Sequence, residues 1–281
     1  MSTYILTFAC PDTRGVIHAI TGALLKLEAN ILEQEQYSDP DSLLFFARTR
    51  FECEDTSLEK AHDVLEGPLA AFSGHMSLRR EDDRRTALLM VSQYDHCLVD
   101  LLYRWNNGEL PIDFVGVVSN HEVCRPIAEQ YGLAFEYLPV TPENKREQEE
   151  RLLAIVRERQ ADVVVLARYM QILSAWFCAE LSGRVINIHH SFLPGFKGAR
   201  PYHQAHDRGV KLIGATAHFV TGDLDEGPII EQQVHRVSHR EQPEQLAEIG
   251  RDIERLTLAR AVRLFAEDRI FLNDHGTVVF G

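Results

Sequence analysis

Asn187 and His189, in Val-Ile-Asn-Ile-His, and Asp225, in Leu-Asp-Glu-Gly-Pro, are the residues whose types and positions speak first of chemistry. Residues 185–188 and 213–220 are apolar runs of strand length, and both end where these polar groups begin. In an open α/β sheet that is where ligands bind. Two positions apart on a strand, Asn187 and His189 share a face. An acyl group under attack develops an oxyanion, which needs hydrogen-bond donors and a group to manage a proton. Asn187 offers an amide donor, and a protonated His189 offers a charge-assisted one. Asp225 can hold the imidazole, stabilise its charge or take a proton from the nucleophile. Singly, Asn187 and Asp225 read as turn formers. Together with His189 they read as a catalytic set that needs no Ser or Cys nucleophile.

The elements that must position this set follow from hydrophobic periodicity. Strands are predicted at 87–91, 114–119, 135–138, 163–167, 185–188, 213–220 and 228–237. Helices are predicted at 97–105, 122–131, 143–160, 174–180 and 201–209, followed by a long one at 243–268 with Leu246, Ile249, Ile253, Leu256, Ala259, Val262 and Phe265 in its stripe. This alternation predicts a Rossmann-like, mostly parallel sheet over residues 86–281. Ahead of it, residues 1–80 read as βαββαβ, the ferredoxin-like plan: strands at 4–9, 30–36, 43–51 and 76–78, a helix through Val16, Ile17, Ile20, Ala23, Leu24 and Leu27, and a helix at 57–72. The charged run 81–85 reads as a linker.

Composition narrows the partners. The 281 residues are 45% hydrophobic and 25% charged, with a formal net charge of −13. Such a balance offers no general attraction to nucleic acid or anionic lipid. No apolar stretch reaches membrane-spanning length and no secretory signal is visible, so the expected location is the cytoplasm. The five cysteines, Cys10, Cys53, Cys97, Cys124 and Cys178, are scattered and read as free, mostly buried thiols. His189, His190, His203, His206 and His218 raise the question of a metal site. His121-Glu122 lacks the second histidine of a zinc-binding helix, and no cysteine falls between 186 and 230, so no metal is expected. His190, His203 and His218 are read as packing residues, with His203 and Tyr202 as further candidates for the pocket wall.

The run 186–230 resembles the formyltransferase-fold family that uses 10-formyltetrahydrofolate. Asn187, His189 and Asp225 fall on that family's catalytic Asn, His and Asp. Ser-Phe-Leu-Pro at 191–194 stands for its Ser-Leu-Leu-Pro, and Gly-Ala-Thr-Ala-His-Phe-Val at 214–220 for its Gly-x-x-x-His-Phe-Val strand. Ala-Arg-Tyr-Met-Gln-Ile-Leu at 167–173 is similar to the loop that cradles the pterin. The resemblance therefore implies a folate pocket lined by Met170, Gln171, Ile172, Leu173, Val220, Thr221, Gly222 and Leu224. Lys197 and Arg200 could meet the folate's glutamate tail, or could simply be solvated loop cations.

Family members that formylate a phosphorylated amine follow their first strand with a glycine-rich turn whose amides bind the phosphate. Here residues 90–98 contain no glycine, and Asp95 would repel an anion. The reaction implied is then hydrolysis of 10-formyltetrahydrofolate to formate and tetrahydrofolate, supplying formate to one-carbon and purine metabolism. The folate is substrate, and no cofactor is expected. A transferase acting on an unphosphorylated amine, or an idle folate or amino-acid sensor, are the alternatives. Ala-Cys-Pro-Asp-Thr-Arg-Gly-Val at 9–16 resembles the opening loop of an ACT domain. That implies either an amino-acid effector near Asp12 and Gly15 or a purely structural pairing module, and in both cases a homo-oligomer.

Overall fold

The computed structural model describes residues 1–54, 56–195, 201–273 and 276–281. Two compact units result, Met1–Arg84 with Asp268–Gly281, and Arg85–Glu267.

The first unit runs β1 (Ser2–Pro11), α1 (Val16–Lys26), β2 (Asn30–Asp39), β3 (Leu44–Cys53), α2 (Leu58–Leu69) and β4 (His75–Arg80). Its sheet has the order β2-β3-β1-β4, and each of these pairings is antiparallel. Alternating buried residues of β1 (Tyr4, Leu6, Phe8, Cys10) face Ile20 and Leu24 of α1 and Leu65 and Leu69 of α2 in one core. Ser57 caps α2 by accepting from the Lys60 amide at 3.2 Å.

The second unit begins with β5 (Arg85–Val91), α3 (His96–Asn106), β6 (Ile112–Ser119), α4 (Arg125–Gln130), β7 (Phe135–Tyr137), α5 (Lys145–Glu158) and β8 (Val163–Leu166). It continues with α6 (Ala175–Glu180), β9 (Val185–His189), α7 (Pro201–Asp207), β10 (Leu212–Phe219), β11 (Ile229–Arg236) and α8 (Pro243–Ala266). The sheet order is β11-β10-β9-β8-β5-β6-β7. Strands β9 to β7 in that order are parallel, and β10 and β11 run antiparallel along one edge. From β5 the chain goes first to β6 and β7 and then returns to β8 on the other side, so the carboxyl ends of β5 and β8 flank a topological switch point. Helix α8 lies against β9, β10 and β11. Among the described residues no helix is long and apolar enough to cross a membrane. All five cysteines are buried and unpaired.

Three expectations need correction. Residues 268–281 do not belong with the second unit: β12 (Ile270–Asn273) and β13 (Gly276–Val279) form a hairpin within the first. Arg269 donates to Glu33 and Glu35 at 2.8 and 2.6 Å, and Phe271 meets Phe46 with ring centroids 5.5 Å apart. The run 81–85 is not a free linker either. Glu81 accepts two hydrogen bonds from Arg50, at 2.7 and 2.9 Å, and its amide donates to Thr3, while Arg85 already opens β5. Finally, the buried face of α8 is wider than the expected stripe: Leu246, Ile253, Ala259 and Val262 are buried as expected, Gly250, Glu254 and Thr257 join them, and Leu256 is exposed.

Phe46 is 1% exposed beneath Phe271. Phe46→Ala is expected to destabilise the first unit by about 3–5 kcal/mol, read from hydrogen exchange of the β3 amides under urea. A loss below about 1 kcal/mol would mean that the hairpin leaves this ring loosely packed.

Candidate active site

Antiparallel pairing of β9 with β10 sets His218 opposite Asn187 and Thr216 opposite His189. Two polar pairs are thereby fixed by register alone. Beyond β10 the chain turns back so tightly that a Cβ on Gly227 would lie 1.7 Å from the Phe219 carbonyl oxygen, so only glycine fits. The Phe219 amide donates to Pro228 across this turn. Asp225, just before it, has φ 57, a left-handed conformation costing roughly 1–2 kcal/mol for a residue with a side chain. That strain delivers its carboxylate to His189, with Oδ1 3.2 Å from Nδ1.

Ring tautomers follow from these partners. The Phe219 carbonyl can only accept, so His218 Nδ1, 2.9 Å away, carries hydrogen. His218 Nε2 then accepts from the Asn187 amide at 3.3 Å, which orients that amide and leaves its second hydrogen available. Nε2 also lies 3.8 Å from Asp225, an ion-pair distance only for a charged ring. Burial pushes the His218 pKa down despite the Phe219 bond and Asp225, so the ring is neutral and that distance is no salt bridge. Burial alone would raise the Asp225 carboxyl, but the His189 bond and the nearby rings of His189, His218 and His190 outweigh it and hold it below the usual range. His189 is 5% exposed, and its Nε2 has no hydrogen-bond partner among the described residues.

These groups line a cavity of about 220 Å³. Met170, Gln171, Ile172 and Leu173 from the loop after β8 also line it, as do Val220, Thr221, Gly222 and Leu224 from the loop after β10. The expected pocket residues thus come together around Asn187, His189 and Asp225. Ser191 hydroxyl donates to the Gly195 carbonyl at 2.7 Å, and Ser191 is not among the residues lining the cavity. Tyr202 is absent from the cavity lining and instead donates to Glu254 at 2.7 Å, reaching it over Gly250. His203 is not among the lining residues either. Lys197 and Arg200 lie outside the described residues. Asp12 and Gly15 sit between β1 and α1 of the first unit, Gly15 with φ 97 at the start of the helix.

Sequence reasoning missed a polar cluster behind His189. Glu254, 1% exposed on α8, receives Tyr202 and His96, the latter at 2.9 Å. Arg168 Nε lies 3.3 Å from the same carboxylate but without hydrogen-bond geometry, so this contact is Coulombic. Arg168 Nη1 donates to His190 Nδ1 at 2.8 Å, and His190 stacks on His189 with ring centroids 4.9 Å apart. Burial raises the Glu254 carboxyl, yet His96, Arg168 and Tyr202 together bring it below its ordinary value. The available signal was a glutamate on the inward face of an amphipathic helix, where an unpaired charge is costly.

This sheet with its strand-end Asn, His and Asp defines a formyltransferase-fold protein, and residues 85–262 match the family described as formyl transferase. A formyltetrahydrofolate deformylase of Corynebacterium sp. (strain P-1) is 45% identical over 98% of this chain and 97% of that protein. The crystal structure of formyltetrahydrofolate deformylase from Burkholderia mallei ATCC 23344 is 49% identical, covers 100% of both chains and superposes with a TM-score of 0.97. Glycinamide ribonucleotide transformylase 1 from Symbiobacterium toebii is more distant, 27% identical over 70% of this chain and 94% of that one, with a TM-score of 0.66. The chain belongs to the formyltetrahydrofolate deformylase family.

Burial, with Arg168 and His189 nearby, lowers the His190 pKa from 6.5 to about 4. Between those values the unfolded chain binds a proton that the folded chain refuses. Stability therefore falls as pH falls through this window, by on the order of 3 kcal/mol in full. Urea unfolding from pH 7 to pH 4 should show this slope, and His190→Gln should flatten it. An equal slope in the variant would assign the effect elsewhere.

Proposed function

We propose that this chain hydrolyses 10-formyltetrahydrofolate to formate and tetrahydrofolate. The observation that carries hydrolysis over transfer is the fate of the segment after β5. Where a phosphate-binding turn would present free amides, this segment carries a side chain at every position, Ser92 buried and Gln93, Tyr94 and Asp95 exposed. Ser92 hydroxyl donates to Asn120 at 2.7 Å and accepts from the Met170 amide at 2.9 Å. Tyr94 lies beneath the Arg168 guanidinium, 5.7 Å from ring centroid to cation, and His96 meets Glu254. A segment so engaged is poorly suited to hold a phosphorylated acceptor, which leaves water as the nucleophile.

The pterin enters between the 170–173 and 220–224 loops and carries its N10-formyl group to Asn187 and His189. Water held by Asp225 attacks the formyl carbon, forming a C–O bond and passing a proton to the Asp225 carboxylate. The free hydrogen of the Asn187 amide and a proton on His189 Nε2 face the oxyanion. The C–N10 bond then breaks as N10 takes that proton from Asp225, and tetrahydrofolate leaves with formic acid, which sheds its remaining proton to water as formate. No resident metal or cofactor takes part in this scheme. The released formate supplies one-carbon and purine metabolism in the cytoplasm.

The first unit is read as an ACT-like, ferredoxin-like module. Its βαββαβ order and the left-handed Gly15 at the head of α1 support this reading. Edge strand β2 leaves Ile31, Leu32 and Tyr37 exposed, a surface through which copies of the chain could pair into a homo-oligomer. Asp12 and Gly15 are the positions assigned to an amino-acid effector.

Purified protein with 10-formyltetrahydrofolate in buffer alone should release formate at steady state; release only on addition of an amine would replace hydrolysis by transfer. Asn187→Ala and His189→Ala should each lower kcat about 10²–10³-fold, or roughly 2.7–4 kcal/mol, and activity retained in His189→Ala would sink the mechanism. Calorimetric titration of the full chain with the common amino acids should give a signal that Asp12→Ala abolishes. No heat with any amino acid would leave the first unit a structural module.

A further inference from the structure

Arg168 occupies a backbone position with φ 66, where glycine would be least strained, yet it carries the longest cationic side chain available. Its guanidinium meets three partners: Glu254 Oε2 at 3.3 Å, the Tyr94 ring, and His190 Nδ1 at 2.8 Å. Arginine has no acceptor, so the His190 Nδ1 beside it must offer a lone pair, and the ring's single hydrogen sits on Nε2. A second proton could reach Nδ1 only by displacing the arginine. The His190 ring is nearly parallel to that of His189, at 21° and 4.9 Å.

We propose that Arg168 is a positioning residue for the oxyanion-binding histidine: by donating to His190 Nδ1 it keeps that ring neutral and stacked, so that positive charge can gather on His189 alone. This rests on the reading of His189 as a charged donor in formyl hydrolysis. The groups facing His190 are His189 from β9, Arg168 from the loop after β8, Tyr202 from α7 at 6.4 Å between rings, Glu254 from α8 and Asp225 from the loop after β10. Arg168 and His189 oppose a charge on His190, while Glu254 and Asp225 favour one. Loss of the arginine removes the nearest fixed cation and the donor at Nδ1, so the proton affinity of His190 rises, while burial and His189 continue to oppose its charge. Glu254 in turn anchors the arginine, since without a counter-charge a cation so nearly buried would be drawn toward solvent.

The test uses the full chain and reads the His190 ring by NMR titration, with His190→Gln identifying its signal. In Arg168→Gln the midpoint should rise by at least about one pH unit, a tenfold change in proton affinity. Arg168→Lys, which keeps the charge, should stay nearer the parent. The acid limb of kcat against pH should move upward with the ring in Arg168→Gln, and KM should change less than kcat. A folded Arg168→Gln protein with an unmoved His190 midpoint overturns the inference. Should that variant fail to fold, Glu254→Gln serves: with its anchor gone the arginine leaves His190, so the midpoint should rise although a carboxylate has been removed, and an unmoved or lowered midpoint would overturn the inference. The titration needs no substrate, so a parent protein that released no formate would sink the functional reading alone. Normal formate release with an unmoved acid limb in Arg168→Gln would sink the inference alone.

Discussion

A carboxylate stays charged inside a protein only where donors are held against it, and the Asp225 contact with His189 meets that condition at the edge of the second unit's sheet. Much of the surrounding structure serves this contact. Gly227 permits the close return of the chain past the Phe219 carbonyl, and the turn leaves Asp225 in the left-handed conformation that points it at the ring. Register does the rest: the β9–β10 pairing sets His218 across from Asn187, so one neutral imidazole orients the amide while its neighbour faces the carboxylate. A slip of one residue would send Asn187 and His189 to the far face of the sheet.

Behind this edge the unit is assembled around a second buried carboxylate. Glu254 draws side chains from three separate stretches, His96 at the head of α3, Arg168 after β8 and Tyr202 in α7. Gly250, one turn earlier on α8, removes the Cβ that would collide with the Tyr202 hydroxyl. These needs explain the polar part of the inward face of the helix. Beside the apolar Leu246, Ile253, Ala259 and Val262, the inward face carries Gly250, Glu254 and Thr257, while Leu256 is exposed. His96 and Tyr202 thereby tie α3 and α7 to the helix covering the sheet, and Arg168 does the same for the loop after β8.

Much of this was legible in the residues. Apolar runs marked the strands of the second unit, because strands buried on both faces read as continuous hydrophobic segments. The strand-end positions of Asn187, His189 and Asp225 marked the site. Contacts between stretches remote in sequence left no such trace. The hairpin β12–β13 was assigned to the neighbouring unit because local pattern cannot show that Arg269 will meet Glu33 and Glu35. Helix α4 begins at Arg125 rather than at 122 because Pro126 lies in its first turn, and proline suits a helix start better than an interior. Arg168 stood within a recognised motif, but the left-handed backbone that makes it unusual is visible only in three dimensions.

Three imidazoles crowd this site, and their spacing decides which of them can be charged. Two cations at the 4.9 Å between the His189 and His190 rings would repel by about 3 kcal/mol at an effective dielectric near 20. Charge on both at once is therefore strongly disfavoured. His190 has its Nδ1 lone pair committed to Arg168, and His218 has its Nε2 lone pair committed to Asn187. Protonating either ring would break a hydrogen bond as well as oppose burial. His189 alone combines a carboxylate at one nitrogen with a second nitrogen that has no hydrogen-bond partner among the described residues. The same geometry makes the His190 and His218 rings poor cations beside His189.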